Sequence, residues 1–151
     1  VRAEVQTIVG TDGRKMSKSY NNTIPVFLPS KALRKAIMGI ATDSKTMEEP
    51  KDPDACTVMA LFRLFGDAER VSSLEARYRA GGMGYGHAKL ELFEVMDRAL
   101  APPRARFEAL RSDEAALERV LSDGAARARA VATPLLALAR ARSGVGRPGP
   151  G

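Results

Sequence analysis

The chain has 151 residues, 44% of them hydrophobic and 28% charged, enough apolar surface to fold as one ordinary domain or as part of a larger one. Its 24 Lys and Arg residues exceed its 18 Asp and Glu residues, and the resulting charge of +6 favours contact with polyanions such as RNA, DNA or nucleotides. The single cysteine, Cys56, and single histidine, His87, exclude a disulfide framework and a Cys/His zinc site, and they indicate a reducing compartment. No apolar run approaches the roughly 20 residues of a membrane span.

Residues 1–9 alternate between apolar and polar side chains, with Val1, Val5 and Val9 on one side. This period of two predicts a β strand. Because every later segment favours helix, we expect no partner strand within the chain and place the rest of the sheet upstream. The sequence is therefore interpreted as the C-terminal part of a longer protein, with an exposed N-terminal arm as the alternative.

The segment after this strand has the composition of a turn followed by a polar loop. Residues 10–13 carry the Gly and Asp residues typical of a turn, and residues 14–23 are rich in Lys, Ser and Asn. Two prolines then bracket a short extended connector. The first helix is expected to begin at Ser30, whose side chain can cap it, because apolar residues recur from Leu33 to Ile40 at helical spacing.

Further helices are predicted by the same spacing: Asp54 would cap the second, and Gly66 and Asp67 would end it and start the third. The glycine-rich run at residues 81–86 is interpreted as a turn between helices. A phosphate-binding nest beside Lys89 is the weaker alternative, since no strand precedes the run. His87, at the start of the next helix, is interpreted as a surface residue.

The last third of the chain is also predicted to be helical. Pro102 and Pro103 are expected to bend or break a long helix, and residues 123–124 to form a turn before the final helix. The Gly- and Pro-rich residues 143–151 are predicted to be a disordered tail. Residues 25–142 should therefore form a helical bundle.

The most specific string in the chain is Lys-Met-Ser-Lys-Ser at residues 15–19. Two ammonium groups three residues apart, with hydroxyl groups between and after them, can converge on the oxygens of a polyphosphate if the loop folds around it. Such a loop stabilises the charge that develops on a leaving pyrophosphate. A solvated basic loop is the alternative, and composition alone favours it.

This string resembles the signature loop of the class I aminoacyl-tRNA synthetases, and its position after a strand is the one that this family requires. Residues 12–25 are similar to the loop and its exit in the bacterial tryptophanyl-tRNA synthetases. Further segments resemble that family in the same order, at residues 42–44, 49–52, 84–89 and 130–134. The resemblance extends over about residues 3 to 140.

The resemblance implies two domains. Residues 1–24 would be the C-terminal remnant of a Rossmann-like α/β catalytic domain, and residues 25–142 a helical domain that receives the anticodon. The expected fold class is therefore mainly α, a helical bundle preceded by the last strand and the signature loop of the catalytic domain.

The resemblance also assigns roles to the residues of the signature. Lys15 and Lys18 are the implied catalytic residues, which hold the phosphates of ATP, while Ser17 and Ser19 shape the loop and Met16 serves as a packing hinge. Backbone groups on the preceding strand, near Val5, would contact adenine. The implied ATP-binding set is Val5, Lys15, Met16, Ser17, Lys18 and Ser19.

The implied function is that of the C-terminal part of a tryptophan–tRNA ligase, which activates tryptophan with ATP and transfers it to tRNA(Trp). The expected partners are ATP with its Mg²⁺, L-tryptophan bound by the absent N-terminal part, tRNA(Trp) and a second subunit of a cytoplasmic homodimer. The chain itself is expected to supply no metal ligand and to make no membrane contact. The family's other signature contains two histidines and cannot lie in a chain whose single histidine is His87. The chain alone is thus expected to be inactive, and a non-catalytic basic helical module that binds RNA is the alternative function.

Arginines make the C-terminal third basic, and together they suit the phosphate contacts of a tRNA. Each one taken alone is best explained as part of a solvated helix face. The arginines in question are Arg104, Arg106, Arg111, Arg119, Arg127, Arg129, Arg140 and Arg142.

Overall fold

The computed structural model describes residues 7–145 of the chain, and its described part is mainly helical. Its α helices are α1 (Ser30–Met38), α2 (Thr57–Phe65), α3 (Ala68–Ala80), α4 (Tyr85–Ser112) and α5 (Glu114–Ser143). A short 3₁₀ helix, Lys18–Tyr20, precedes them. The chain divides into two compact units, and the division falls between Ala105 and Arg106, inside α4. Among the described residues, no helix is both long enough and apolar enough to cross a membrane.

The core of the first unit is built from one face of each of its helices. In α1, Leu33 and Ile37 are fully buried, as their four-residue spacing predicts, and burial of each such side chain contributes about 1.5–3 kcal/mol. The buried apolar core consists of Ile24, Leu33, Ile37, Ile40, Cys56, Val58, Met59, Leu61, Phe62, Leu74, Tyr78, Met83, Ala88, Leu92, Val95 and Met96. Val9 and Met16 pack against this core. The signature loop is therefore anchored on the helices that follow it.

Two of the predicted helix caps are wrong. Ser30 is the first residue of α1 rather than its cap, and its hydroxyl donates to Asp97 Oδ2 on α4 at 3.0 Å. Asp54 precedes α2 by too many residues to cap it, since that helix begins at Thr57. The Asp54 carboxylate instead accepts from Arg63 Nη2 at 2.6 Å. The Ser30 hydroxyl and the Asp54 carboxylate therefore bond to side chains further along the chain, those of Asp97 and Arg63, instead of capping a helix.

The boundaries of α3 follow the prediction more closely. Asp67 caps the helix, because its carboxylate accepts from the Arg70 amide at 2.8 Å. The glycine run after the helix is a connection between α3 and α4, as expected. Gly81 has a φ of +77°, and a Cβ there would lie 2.4 Å from the Glu48 carbonyl oxygen, so only glycine fits this turn.

The predicted N-terminal strand is not observed in the described part of the chain. Residues 1–6, including Val1 and Val5, lie outside the described residues, and residues 7–9 form no strand. Val9 makes an isolated antiparallel bridge with Lys15. Val9 thus has a bridge partner in Lys15, but no partner strand occurs within residues 7–145.

The long helix α4 passes through Pro102 and Pro103 without a break, so of the two predicted outcomes, a bend or a break, the break is not observed. The two prolines remove two backbone donors that would bond to the carbonyls of Arg98 and Ala99. All four residues are exposed, so water can solvate those carbonyls and the helix can continue.

The second unit contains the end of α4 and the whole of α5. Asp113 caps α5, because its carboxylate accepts from the Ala116 amide at 2.9 Å. The helix then runs through Gly124 and Pro134, so the turn predicted at residues 123–124 is absent. The predicted domain boundaries remain predictions, and residues 146–151 of the predicted tail lie outside the described residues.

Candidate functional site

The base of the signature loop is a tight hairpin of backbone hydrogen bonds. The Gly10 amide donates to the Arg14 carbonyl at 2.7 Å, and the Met16 amide donates to the Ile8 carbonyl at 2.9 Å. These bonds bring the residues before the turn alongside those that open the signature. The start of the loop is thus fixed by its own backbone.

The turn of this hairpin requires glycine and carries an ion pair. Gly13 has a φ of +81° and donates its amide to the Gly10 carbonyl at 3.1 Å. Asp12 accepts from the Arg14 backbone amide at 3.1 Å and from the Arg14 side chain at 2.7 Å. A hydrogen bond from Asn22, together with those from Arg14, lowers the pKa of Asp12 to about 2. Asp12 is therefore ionised at neutral pH.

The second half of the signature forms the 3₁₀ helix. Ser17 caps it, because its hydroxyl oxygen accepts from the Ser19 amide at 3.3 Å. The Tyr20 amide donates to the Ser17 carbonyl at 3.2 Å. Asn21 ends the helix in the left-handed conformation, with a φ of +51°, and its amide donates to the Lys18 carbonyl at 3.2 Å. Lys18 is thus held at the first position of an ordered turn.

Four of the predicted site residues line a single groove. Lys15 and Lys18 are both exposed, whereas Met16 packs against the core between them. The groove is lined by Thr7, Ile8, Lys15, Met16, Ser17, Lys18 and Thr23. Its cations and hydroxyl groups suit an anion with several oxygens, such as a polyphosphate. Of the other predicted residues, Ser19 is not part of this lining and Val5 lies outside the described residues.

Sequence reasoning gave no role to Asn22, which the structure places at the centre of the loop. Its side chain is buried, and its amide donates to Asp12 Oδ1 at 2.7 Å and to the Lys15 carbonyl at 3.1 Å. Its Oδ1 atom accepts from the Ser17 amide at 2.8 Å. The available signal was the residue type, since an amide side chain can donate and accept within one loop.

The alternative anion site at the glycine run is not supported by the structure. Lys89 donates to the Met38 carbonyl at the end of α1, at 3.1 Å, so its ammonium group serves to join two helices. His87 is exposed, as expected of a surface residue. Within residues 7–145 no group of three or more His, Cys, Asp and Glu side chains could hold a metal ion.

The basic residues of the C-terminal third differ in their surroundings. Arg104 is largely buried, with its Nη2 atom 2.9 Å from Asp97 Oδ1, so it is not part of a solvated face. The remaining arginines are exposed: Arg106, Arg111, Arg119, Arg127, Arg129, Arg140 and Arg142. The exposed arginines of the second unit therefore form positive charge that a binding partner can contact from solution.

Comparison with known proteins gives consistent matches. Residues 3–101 match the model of the family described as tRNA synthetases class I (W and Y). The chain is 47% identical over 138 residues to a tryptophan–tRNA ligase of Rhodopirellula baltica, covering 91% of this chain and 43% of that protein. It is 43% identical over 145 residues to a tryptophan–tRNA ligase of Pseudomonas aeruginosa, covering 96% of this chain and 32% of that protein.

The fold matches a solved structure over nearly the whole chain. A crystal structure of tryptophanyl-tRNA synthetase from Campylobacter jejuni, complexed with ADP and tryptophan, aligns with a TM-score of 0.90 and 39% identity. The match covers 95% of this chain and 45% of that one. The chain thus spans less than half the length of each of these relatives.

Proposed function

This chain belongs to the tRNA synthetases class I (W and Y), and from that membership we infer that it is the C-terminal part of a tryptophan–tRNA ligase. The longer protein is termed the parent ligase below. Tryptophan is favoured over tyrosine because the relatives that match 91% and 96% of the chain are tryptophan–tRNA ligases.

The proposed reaction has two steps. In the first, a carboxylate oxygen of tryptophan bonds to the α-phosphorus of ATP, the bond to the bridging oxygen breaks, and pyrophosphate leaves with the electron pair. In the second, a ribose hydroxyl of tRNA(Trp) attacks the activated carbonyl carbon, AMP leaves and the hydroxyl proton is released. Lys15 and Lys18 act in the first step, where their ammonium groups stabilise the charge that accumulates on the leaving pyrophosphate.

The observation that supports this assignment is the shared groove. Lys15, Met16, Ser17 and Lys18 line it together, with both lysines exposed. Because Met16 packs against the core, the two lysines are held on an anchored segment rather than on a free loop. Such preorganisation lets the ammonium groups act without a large reorganisation at the moment of reaction.

The Mg²⁺ that accompanies ATP is assigned no ligand in this groove. The lining residues include two lysines, hydroxyl-bearing side chains and apolar side chains, but no carboxylate. The residues of the groove therefore fit the phosphates of ATP and not the ion itself.

The second unit is proposed to contact tRNA(Trp). Its exposed arginines, among them Arg127, Arg129, Arg140 and Arg142, suit phosphate contacts, which supply affinity without reading sequence. The family resemblance further leads us to propose a cytoplasmic homodimer, with the pocket for L-tryptophan in the part of the parent ligase that precedes this chain.

The test is amino-acid-dependent exchange of labelled pyrophosphate into ATP by the parent ligase. We expect exchange with tryptophan and at least a hundredfold less with tyrosine at equal concentration. Exchange with tyrosine alone would show that the ligase is specific for the other amino acid of the family. No exchange with either amino acid, from a folded protein that binds tRNA, would support the non-catalytic RNA-binding module instead.

A further inference from the structure

Asn22 is one of the two buried polar side chains of the described part of the chain, the other being Lys51. The two differ in what they hold. The Lys51 ammonium group donates to the carbonyls of Thr46, Met47 and Glu49, none of which lines the groove. The Asn22 side chain bonds only to residues of the hairpin and the signature that it follows. The hydrogen bonds of this buried side chain therefore stabilise the conformation of the loop that carries Lys15 and Lys18.

The three hydrogen bonds of Asn22 span the signature. The amide nitrogen uses both of its hydrogens, one on the Asp12 carboxylate and one on the Lys15 carbonyl, and the amide oxygen takes the Ser17 amide hydrogen. One side chain thus joins the turn, the first lysine and the residue that caps the 3₁₀ helix of Lys18. A side chain that can only accept, or only donate, cannot make this set.

The position of Asn22 is itself fixed by two further contacts. Its backbone carbonyl accepts from the Thr11 amide at 2.9 Å. Gly10 lies directly against its side chain, where an added Cβ would stand 2.4 Å from Asn22 Cγ. Gly10 and Thr11 therefore pack directly against Asn22. The absence of a Cβ at Gly10 leaves the space that the Asn22 side chain occupies.

We propose that Asn22 is the positioning residue of the pyrophosphate site, setting through its hydrogen bonds to Asp12, Lys15 and Ser17 where the Lys15 and Lys18 ammonium groups meet the leaving group. This inference rests on the proposed function of the groove. Asn22 is a positioning residue and not a catalytic one, because it does not belong to the groove lining. A displacement of about 1 Å at such a site can cost a hundredfold in rate.

The test compares Asn22→Leu and Asn22→Asp in the parent ligase. Leu keeps the branching of the side chain at Cγ and makes no hydrogen bond, so kcat for tryptophan-dependent pyrophosphate exchange should fall at least tenfold at every pH, with little change in the KM for tryptophan. Asp at neutral pH offers a carboxylate that cannot donate to Asp12 or to the Lys15 carbonyl, and kcat should fall at least as far.

The Asp variant has a signature that a purely structural role does not produce. When its new carboxyl group is protonated, that group donates to Asp12 while its other oxygen accepts from Ser17, so the activity of Asn22→Asp relative to wild type should rise as the pH falls from 8 to 5. The charged groups around the position are Asp12 and Arg14 in the turn, Lys15 and Lys18 in the signature, and Lys35 of α1. A relative activity that is independent of pH, or a kcat for either variant equal to that of wild type, would overturn the proposal.

A second measurement on the full 151-residue chain separates a local effect from unfolding. The Ser17 amide, which bonds to Asn22 Oδ1, should exchange with solvent at least tenfold faster in Asn22→Leu. The Arg70 amide, which bonds to Asp67 in α3, should keep its rate. Unchanged exchange at Ser17 would contradict the proposal.

The Lys18→Ala variant distinguishes failure of this inference from failure of the proposed function. If Lys18→Ala loses activity while both Asn22 variants keep theirs, only the positioning role of Asn22 is wrong. If Lys18→Ala itself keeps the activity of wild type, the assignment of the groove to pyrophosphate is wrong, and the role of Asn22 is overturned with it.

Discussion

The Tyr85 hydroxyl donates a 2.7 Å hydrogen bond to Asp43 Oδ1, which ties the loop after α1 to the first residue of α4. The same ring lies 5.3 Å from the Lys51 ammonium group. The bond from Tyr85 is the largest cause of a lowered pKa at Asp43, and burial, followed by the bond to Asp43, raises the pKa of Tyr85. These contacts order the loop between α1 and α2.

Replacing Tyr85 with Phe should therefore destabilise the chain in a pH-dependent way. The loss should be about 0.5–1 kcal/mol at pH 7, because Asp43 is exposed and the bond is partly screened. A carboxylate with a lowered pKa adds stability above its unfolded pKa, near 3.8, and loses it as the pH falls below that value. Urea unfolding at pH 7 and at pH 3 measures the difference, which should shrink at pH 3. A difference that is equal at both pH values would contradict this account.

Lys51 should be important for stability rather than for binding. Its buried ammonium group donates to the carbonyls of Thr46 at 2.7 Å and Glu49 at 2.9 Å. Lys51→Met keeps an unbranched side chain that extends to Cε but removes the ammonium donor, so the free energy of unfolding should fall by about 1–3 kcal/mol. Thermal unfolding followed by circular dichroism measures this. The matched control is Lys31→Met, at an exposed position of α1, which should change the stability by less than about 0.5 kcal/mol.

Gly124 and Gly10 should respond in opposite ways to alanine. Gly124 lies inside α5 with no atom within 4 Å of an added Cβ, so Gly124→Ala should stabilise the helix by about 0.5–1 kcal/mol. Gly10→Ala would place a methyl group 2.4 Å from Asn22 and should destabilise the loop. Loss of the helical circular dichroism signal on heating measures the stability of Gly124→Ala. Amide exchange at Ser17 measures the effect of Gly10→Ala on the loop. A loss of helix stability in Gly124→Ala would show that α5 is interrupted at this point.

The free energy of tRNA binding should have two components, one that depends on charge and one that depends on the tRNA sequence. Phosphate contacts release counterions, so the affinity of the chain for tRNA(Trp) should fall steeply with salt. Arg127→Ala and Arg129→Ala should weaken binding to every tRNA alike. A changed anticodon base should instead weaken the binding of that tRNA to the wild-type chain by about 1–3 kcal/mol, by analogy with single-base discrimination in duplexes. Binding isotherms in a salt series measure both. Identical curves for tRNA(Trp) and its anticodon mutant at every salt concentration would support a non-specific basic module.

The sequence was most informative where a residue's role depends on its neighbours along the chain. The apolar spacing of Leu33 and Ile37 predicted a buried face of α1, and the boundary between α2 and α3 was correctly predicted at Gly66 and Asp67. Both depend on contacts within one helix or on one face of it. Lys15 and Lys18 both line the groove, and their role in binding the phosphates of ATP stays a prediction.

The predictions failed where a distant partner decides the structure. Ser30 bonds to Asp97, 67 residues away in the sequence, and this contact cannot be read from the residues around Ser30. Pro102 and Pro103 were expected to bend or break α4 because their local cost is known, but the solvent exposure that lets the helix continue through them is a property of the fold. The role of Asn22 was missed for the same reason, since it depends on the hairpin that brings Asp12 to it.

The most direct test of the central claim is the single-turnover rate at which the parent ligase forms tryptophanyl-adenylate. Lys18→Ala and Lys15→Ala should each slow this step about a hundredfold or more, equivalent to about 3 kcal/mol of lost stabilisation of the leaving pyrophosphate, with little change in tryptophan affinity. The control variant Lys31→Ala, which removes an exposed lysine outside the groove, should react at the wild-type rate. Wild-type rates for both Lys15→Ala and Lys18→Ala would contradict the assignment of this groove to the pyrophosphate of ATP.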